Sequence, residues 1–185
     1  MLLCLQKKQV TKDMILSAAF KLLKKQGYES VNIKKLSKEL GCSTQPIYLS
    51  FSGMDELRNE LVPLAVKEFE SRMKKYGNGK IRLYDMSYIY FAENEPNLFC
   101  FLFMRANAFL EIKRLLLPII NRSIKEFETV YNISCNKADL LHDGLWMHTH
   151  GIASMIATKF CDWDLEKVSK MLESCKRSFT EKYEA

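Results

Sequence analysis

Three groups of side chains in this sequence are of types that do chemistry. The first is basic. Lys34, Lys35 and Lys38 crowd together, and residues 1–54 hold nine lysines against three acids, Asp13, Glu29 and Glu39. That segment carries the whole formal net charge of +6, and residues 55–185 have basic and acidic side chains in equal number. A basic end on a neutral body suits a polyanion-binding module on a carrier domain, although a plainly solvated lysine face has the same composition. The second group is His142, His148 and His150. His-x-His on a helix sends its two rings to different faces, and 142 and 150 lie two turns apart. With no acid or thiol at ligand spacing, no metal site is expected. Glu93, Glu95, Glu126 and Glu128 form no acid–base pair, so no enzyme activity is expected. The third group is Cys4, Cys42, Cys100, Cys135, Cys161 and Cys175, scattered and without a C-x-x-C pair. In a reducing compartment they are free thiols that pack as small apolar groups. A thiol switch at Cys100 or Cys135 is an alternative, weakened by the burial expected at Cys100.

The chain has 185 residues, 48% apolar and 27% charged, enough to bury a core. Its longest apolar run, residues 98–104, is far short of the ~20 residues of a membrane span. Met1-Leu2-Leu3-Cys4-Leu5 has no basic stretch before it, so a cytoplasmic location is expected. Glycine-rich phosphate loops and nucleophile elbows are missing, and no cofactor is predicted.

The elements that must position these groups read as helices. Ile15, Ala18, Ala19, Leu22 and Leu23 follow the i, i+3, i+4 rule, with Thr11 as a cap and Gly27 as a left-handed stop. Asn32 caps a short helix bearing Ile33, Leu36 and Leu40, and Gly41 ends it. A second short helix follows, with Ser43 as its cap, Pro46 in the first turn, and Ile47 and Phe51 facing inward. Two short helices about a glycine turn, behind a longer helix, form the helix-turn-helix layout, whose second helix enters the DNA major groove. Ser52 to Asp55 reads as a capping box that opens a long helix, kinked at Pro63 and ended at the candidate linker Gly77-Asn78-Gly79. Further helices carry Ile81, Tyr84, Tyr88, Phe91 and Ala92, then the aromatic run after Pro96, then Leu116, Ile120, Ile124 and Phe127 up to Asn132. A helix capped by Asn136 runs to about Lys159. The last bears Leu165, Val168, Leu172, Cys175 and Phe179 with coiled-coil-like gaps.

Residues 11–62 resemble the TetR family of bacterial transcriptional regulators. The residues that carry the likeness are Ile15-x-x-Ala18-Ala19-x-x-Leu22, Gly27-Tyr28, Val31-Asn32-Ile33, Leu36-Ser37-x-x-Leu40-Gly41-Cys42-Ser43, Ile47-Tyr48-x-x-Phe51 and Leu57. Downstream, Trp146-Met147-His148-Thr149-His150-Gly151 is similar to the Trp…His-Gly signature of one subset of the family's ligand-binding domains. The resemblance implies an all-α chain. An N-terminal three-helix DNA-binding domain spans residues 1–54, with the fourth helix from 52 as connector. A larger helical domain for ligand binding and dimerisation spans residues 55–185.

The resemblance also implies roles for single residues. Ser43, Thr44, Gln45 and Pro46 begin the recognition helix, where Gln45 suits adenine and Thr44 a thymine methyl. Tyr48 falls at the phosphate-contacting tyrosine and Asn32 at a helix cap near phosphate, while Lys34 and Lys35 meet the backbone. Two positions depart from the family pattern. Ser50 replaces an aromatic or His and keeps only a hydroxyl donor. Met54 replaces a lysine, so one ionic contact fewer per half-site is expected, with Lys12 or Lys34 compensating.

Tyr84, Tyr88, Phe91, Phe99, Phe103, Met104, Phe127, Trp146 and His150 are the candidate lining of a pocket for a small, largely apolar or aromatic effector. Leu165, Val168, Leu172, Cys175 and Phe179, with the helix 137–159, are the candidate dimer interface. The expected whole is a ligand-released repressor that binds a palindromic operator on double-stranded DNA as a homodimer, with no membrane partner. The other readings are a thiol-sensing regulator, an adaptor that has lost DNA binding, and an enzyme built on the histidine helix.

Overall fold

The computed structural model describes residues 10–77 and 84–181. Among them are nine α-helices and no strand: α1 (Lys12–Gln26), α2 (Ile33–Leu40), α3 (Gln45–Ser50), α4 (Met54–Tyr76), α5 (Tyr84–Asn94), α6 (Pro96–Phe103), α7 (Phe109–Tyr131), α8 (Cys135–Ala157) and α9 (Leu165–Glu181). The chain divides into two compact units, one up to Leu64 and one from Ala65, and the division falls within α4. Asn78, Gly79, Ile81 and Cys4 lie outside the described residues.

In the N-terminal unit α1 buries Ile15, Ala18, Ala19, Leu22 and Leu23, the stripe that its periodicity predicts. The Thr11 hydroxyl accepts from the Met14 N–H at 3.2 Å. Gly27 stops the helix with a positive φ of 82°, but its ψ of 176° is extended, not the left-handed helical turn expected. A 3-10 turn, Tyr28–Ser30, follows. The buried Ser30 hydroxyl holds it to α1, lying 3.0 Å from the Leu22 carbonyl and 2.6 Å from that of Gly27. The Asn32 side chain caps α2 by accepting from the Lys35 N–H at 3.0 Å.

Gly41 ends α2 in the left-handed region, at φ 63° and ψ 34°. Three residues then lead into α3. Its cap position is Thr44, not Ser43, and no side chain bonds a free N–H there. Pro46, which has no N–H to satisfy, sits in the first turn. Ile47 and Phe51 are 2% and 4% exposed and anchor the segment. The reciprocal bond at the start of α4 uses Glu56 instead of Asp55. One Glu56 carboxylate oxygen accepts from both the N–H and the hydroxyl of Ser52, each at 2.6 Å. Asp55 points to Arg58, 3.5 Å away. α4 continues through Pro63, which is exposed.

In the C-terminal unit α8 is the hub and packs against α5, α6, α7 and α9. It starts after Ser134, two residues before the helix expected from an Asn136 cap. Ile89, Phe91, Leu98, Phe99, Phe101, Leu102 and Leu141 are the large side chains buried around it. Asn132 ends α7 in the left-handed region, with φ 49°. The stripe of α9 turns inward. Val168 and Leu172 are 0% and 4% exposed within the single chain, and Phe179 packs on the cluster of Phe127, Ala138 and Leu141. A Cβ on Gly144 would lie 2.5 Å from the Phe179 ring, so α9 approaches α8 closely only because residue 144 has no side chain. Val168, Leu172 and Phe179 therefore pack within this unit. An apolar stripe shows which face is covered, and here the chain's own α8 covers it.

The turn between α2 and α3 gives a clean test. No atom lies within 4 Å of a Cβ placed on Gly41, so only its positive φ opposes substitution. Gly41→Ala is expected to destabilise the N-terminal unit by about 1–2 kcal/mol, read as a lower denaturant midpoint with an unchanged slope.

Candidate nucleic-acid interface and ligand cavity

α3 is too short to bury one face and hide another. At about 100° per residue, Thr44, Tyr48, Gln45 and Leu49 span an arc of about 140°, and all four are exposed. Pro46, Ile47 and Ser50 take the opposite, covered arc. Tyr48 is 62% exposed, which settles its side of the helix against a core role. Ser43 is exposed just before the helix.

The lysines around α3 are not equivalent. Lys34 is exposed and has no ion-pair partner among the described residues. Lys35 donates to the Gln26 side chain at 2.8 Å. Lys21 is paired with Glu39 at 2.6 Å. Lys12 bonds Glu60 at 2.5 Å and lies over the Phe51 ring, 4.9 Å from its centroid. That carboxylate is the main cause holding the Lys12 ammonium above its ordinary pKa. Lys12 is thus committed within the fold and is a poor substitute for the lysine missing at Met54. Two sequence expectations change here. The Ser50 hydroxyl donates to the Pro46 carbonyl at 2.8 Å, so the donor foreseen for phosphate is already engaged. Asn32 uses its oxygen on Lys35 and one amide N–H on the Glu29 carbonyl, 3.3 Å away, so it serves first as a cap.

The C-terminal unit contains a partly open cavity of about 420 Å³. Tyr88, Phe103, Phe127, Trp146 and His150 are among its lining residues. Phe91 and Phe99 are not; both are fully buried, and Phe99 acts from behind by stacking on His150 at 5.7 Å. Met104 closes α6, is 46% exposed and does not line the cavity. The side chain of Tyr84 lies outside what is described. The sequence reading missed Phe69, Met73, Asp85 and Lys176, and the wall supplied by Ile112, Leu116 and Ile120 of α7. The stripe at 116, 120, 124 and 127 was the available signal, since a half-covered apolar face needs something to cover.

One side of the cavity carries a hydrogen-bonded pair. The Tyr88 hydroxyl lies 3.0 Å from His150 Nδ1. Burial pushes the Tyr88 hydroxyl well above its usual pKa and pulls His150 down, so both are neutral at pH 7. Nε2 of His150 lies 3.4 Å from the Ser154 hydroxyl. Trp146 stacks on His150 at 5.2 Å, and Phe103 meets it edge-on at 6.2 Å. Asp85 and Lys176 face each other at 3.8 Å. All three histidines border this cavity, yet no group of three His, Cys, Asp or Glu among the described residues is placed to hold a metal. The thiols are poorly placed for switching. Burial raises the pKa of Cys100, and at Cys135 the hydrogen-bonded Glu128 carboxylate does the same, which disfavours both thiolates.

An exposed short helix behind a glycine turn, with the lysine-rich residues 1–54 around it, fits a helix-turn-helix DNA-binding protein. Residues 15–61 match the family model of bacterial regulatory proteins, tetR family. The helix-turn-helix of the N-terminal unit is thus similar to the DNA-binding domain of that family, which supports a DNA-binding transcriptional regulator. Among curated proteins, none matches the chain. No helix among the described residues is long and apolar enough to cross a membrane.

His150 yields a pH test. Its pKa is depressed in the folded state, so the unfolded chain binds protons more readily as pH falls below about 6.5. The associated stability is present above that value and is lost as pH falls through the folded pKa. The melting temperature is expected to drop between about pH 7.5 and 5.5, and His150→Gln is expected to shrink that drop.

Proposed function

We propose that the chain is a ligand-released repressor that binds a palindromic operator as a homodimer. The observation that carries this is the exposed arc of α3 among the lysine-rich residues 1–54, with a separate apolar cavity in the other unit. Thr44 and Gln45 offer donors and acceptors to base edges, and Tyr48 and Lys34 meet phosphate. A six-residue reader contacts too few bases for a specific site, which favours two copies on paired half-sites.

With the inner stripe of α9 buried, the proposed contact between copies moves to the outer side of α8 and α9. Leu140 and Met147, seven residues apart on α8, are 62% and 61% exposed. Met171 and Cys175 are half-exposed on α9, and Leu165 is half-exposed at its start. The effector is a small, largely apolar or aromatic molecule. The Tyr88 hydroxyl and His150 already bond each other, and most of the lining is apolar, which suits such a molecule. Release follows if the effector binds better to a state whose paired readers are wrongly spaced.

Selection of fragments bound from the host's genomic DNA tests DNA binding, the operator and its symmetry together. A set of unrelated fragments with no shared inverted repeat refutes the proposal. Met147→Asp is expected to yield monomers by light scattering and to weaken operator binding at least tenfold. Lys34→Ala is expected to flatten the slope of log K against log[salt] by about 0.9 per half-site. Lys12→Ala, whose ammonium is held by Glu60, is expected to change that slope much less.

A further inference from the structure

Leu49 is 79% exposed, the most exposed large apolar side chain among the described residues. It lies one turn after Gln45 on the open arc of α3 and beside Tyr48. A leucine here neither donates, accepts nor neutralises charge, so phosphate and most base-edge atoms offer it nothing. Only one kind of group on the floor of the major groove is apolar, the C5-methyl of thymine. We propose that Leu49 is a specificity-determining residue that packs on a thymine methyl within each half-site, next to the base that Gln45 contacts. The proposal rests on the DNA-binding reading and adds to it an apolar contact that hydrogen-bond arguments do not foresee.

The geometry makes this contact selective. A helix in the major groove brings residues four apart on one face to neighbouring base pairs, so Gln45 and Leu49 read adjacent steps. Burying one methyl against one leucine is worth about fourfold in affinity, the equivalent of one CH₂ removed from water. Cytosine, which lacks the methyl, is disfavoured at that step by a similar factor on this contact alone.

The test uses the full chain and a duplex that it selects from a random library. Each thymine of the half-site is replaced in turn by deoxyuridine, which removes only the methyl. The wild-type chain is expected to lose about fourfold at one position per half-site. Leu49→Ala is expected to bind the parent duplex more weakly and to show no further loss with deoxyuridine there. Leu49→Met, which keeps an apolar tip, retains the deoxyuridine penalty. Leu49 is exposed, so both variants keep the wild-type melting temperature. A wild-type chain that binds tightly with no deoxyuridine penalty, or an equal penalty in Leu49→Ala, overturns the assignment while leaving DNA binding intact. A wild-type chain that enriches no sequence overturns DNA binding itself, and this inference with it.

Discussion

A helix of six residues does not hold together in water, because nucleation costs more than so few hydrogen bonds return. α3 exists because Ile47 and Phe51 are buried at its base and because Pro46 presets the first turn. Much of the reader's geometry follows from that dependence. The buried pair dictates which arc of α3 faces water, and so which side chains are available to DNA. Gly41 sets the angle at which the chain leaves α2, and Glu56 grips Ser52 as it leaves α3. The surface that reads DNA is thus defined from its underside.

The C-terminal unit solves a different problem. Here one long helix, α8, supplies packing for four others and also borders a cavity. A polar group facing such a space costs free energy unless it is bonded. Tyr88 and His150 meet that demand by bonding to each other. Trp146 and Phe99 stack on the His150 ring. The outcome is a largely apolar cavity whose wall nevertheless contains histidine, a phenol and an indole.

Much of this was legible in the sequence because periodicity and punctuation are local. The buried stripe of α1, the Thr11 and Asn32 caps, the Gly41 stop and the inward pair Ile47 and Phe51 all follow from neighbours within a few residues. What was not legible depends on distant partners. The stripe of α9 is real, but spacing does not say that α8 of the same chain packs on it, at a distance that Gly144 allows. Phe91, Phe99 and Phe103 have equal chemistry in sequence, yet only Phe103 borders the cavity. Ser43 and Thr44 are both good caps, and the backbone places the helix start one residue later than the hydroxyl pattern implied. Leu49 escaped notice because an exposed leucine has no signature until its exposure is measured.

Arg58 is the first arginine in the chain, and it does not face outward to DNA. Its guanidinium lies over the Tyr28 ring, 4.9 Å from the centroid, and donates to the Val31 carbonyl at 3.3 Å. The planar, forked cation of the unit is therefore built into its scaffold, and every basic side chain left for the polyanion is a lysine. A lysine ammonium is a point charge on a flexible stem and bonds without a fixed direction. Contacts of that kind to a phosphate backbone carry no sequence information, so in such a unit discrimination between sequences falls to the few exposed side chains of α3.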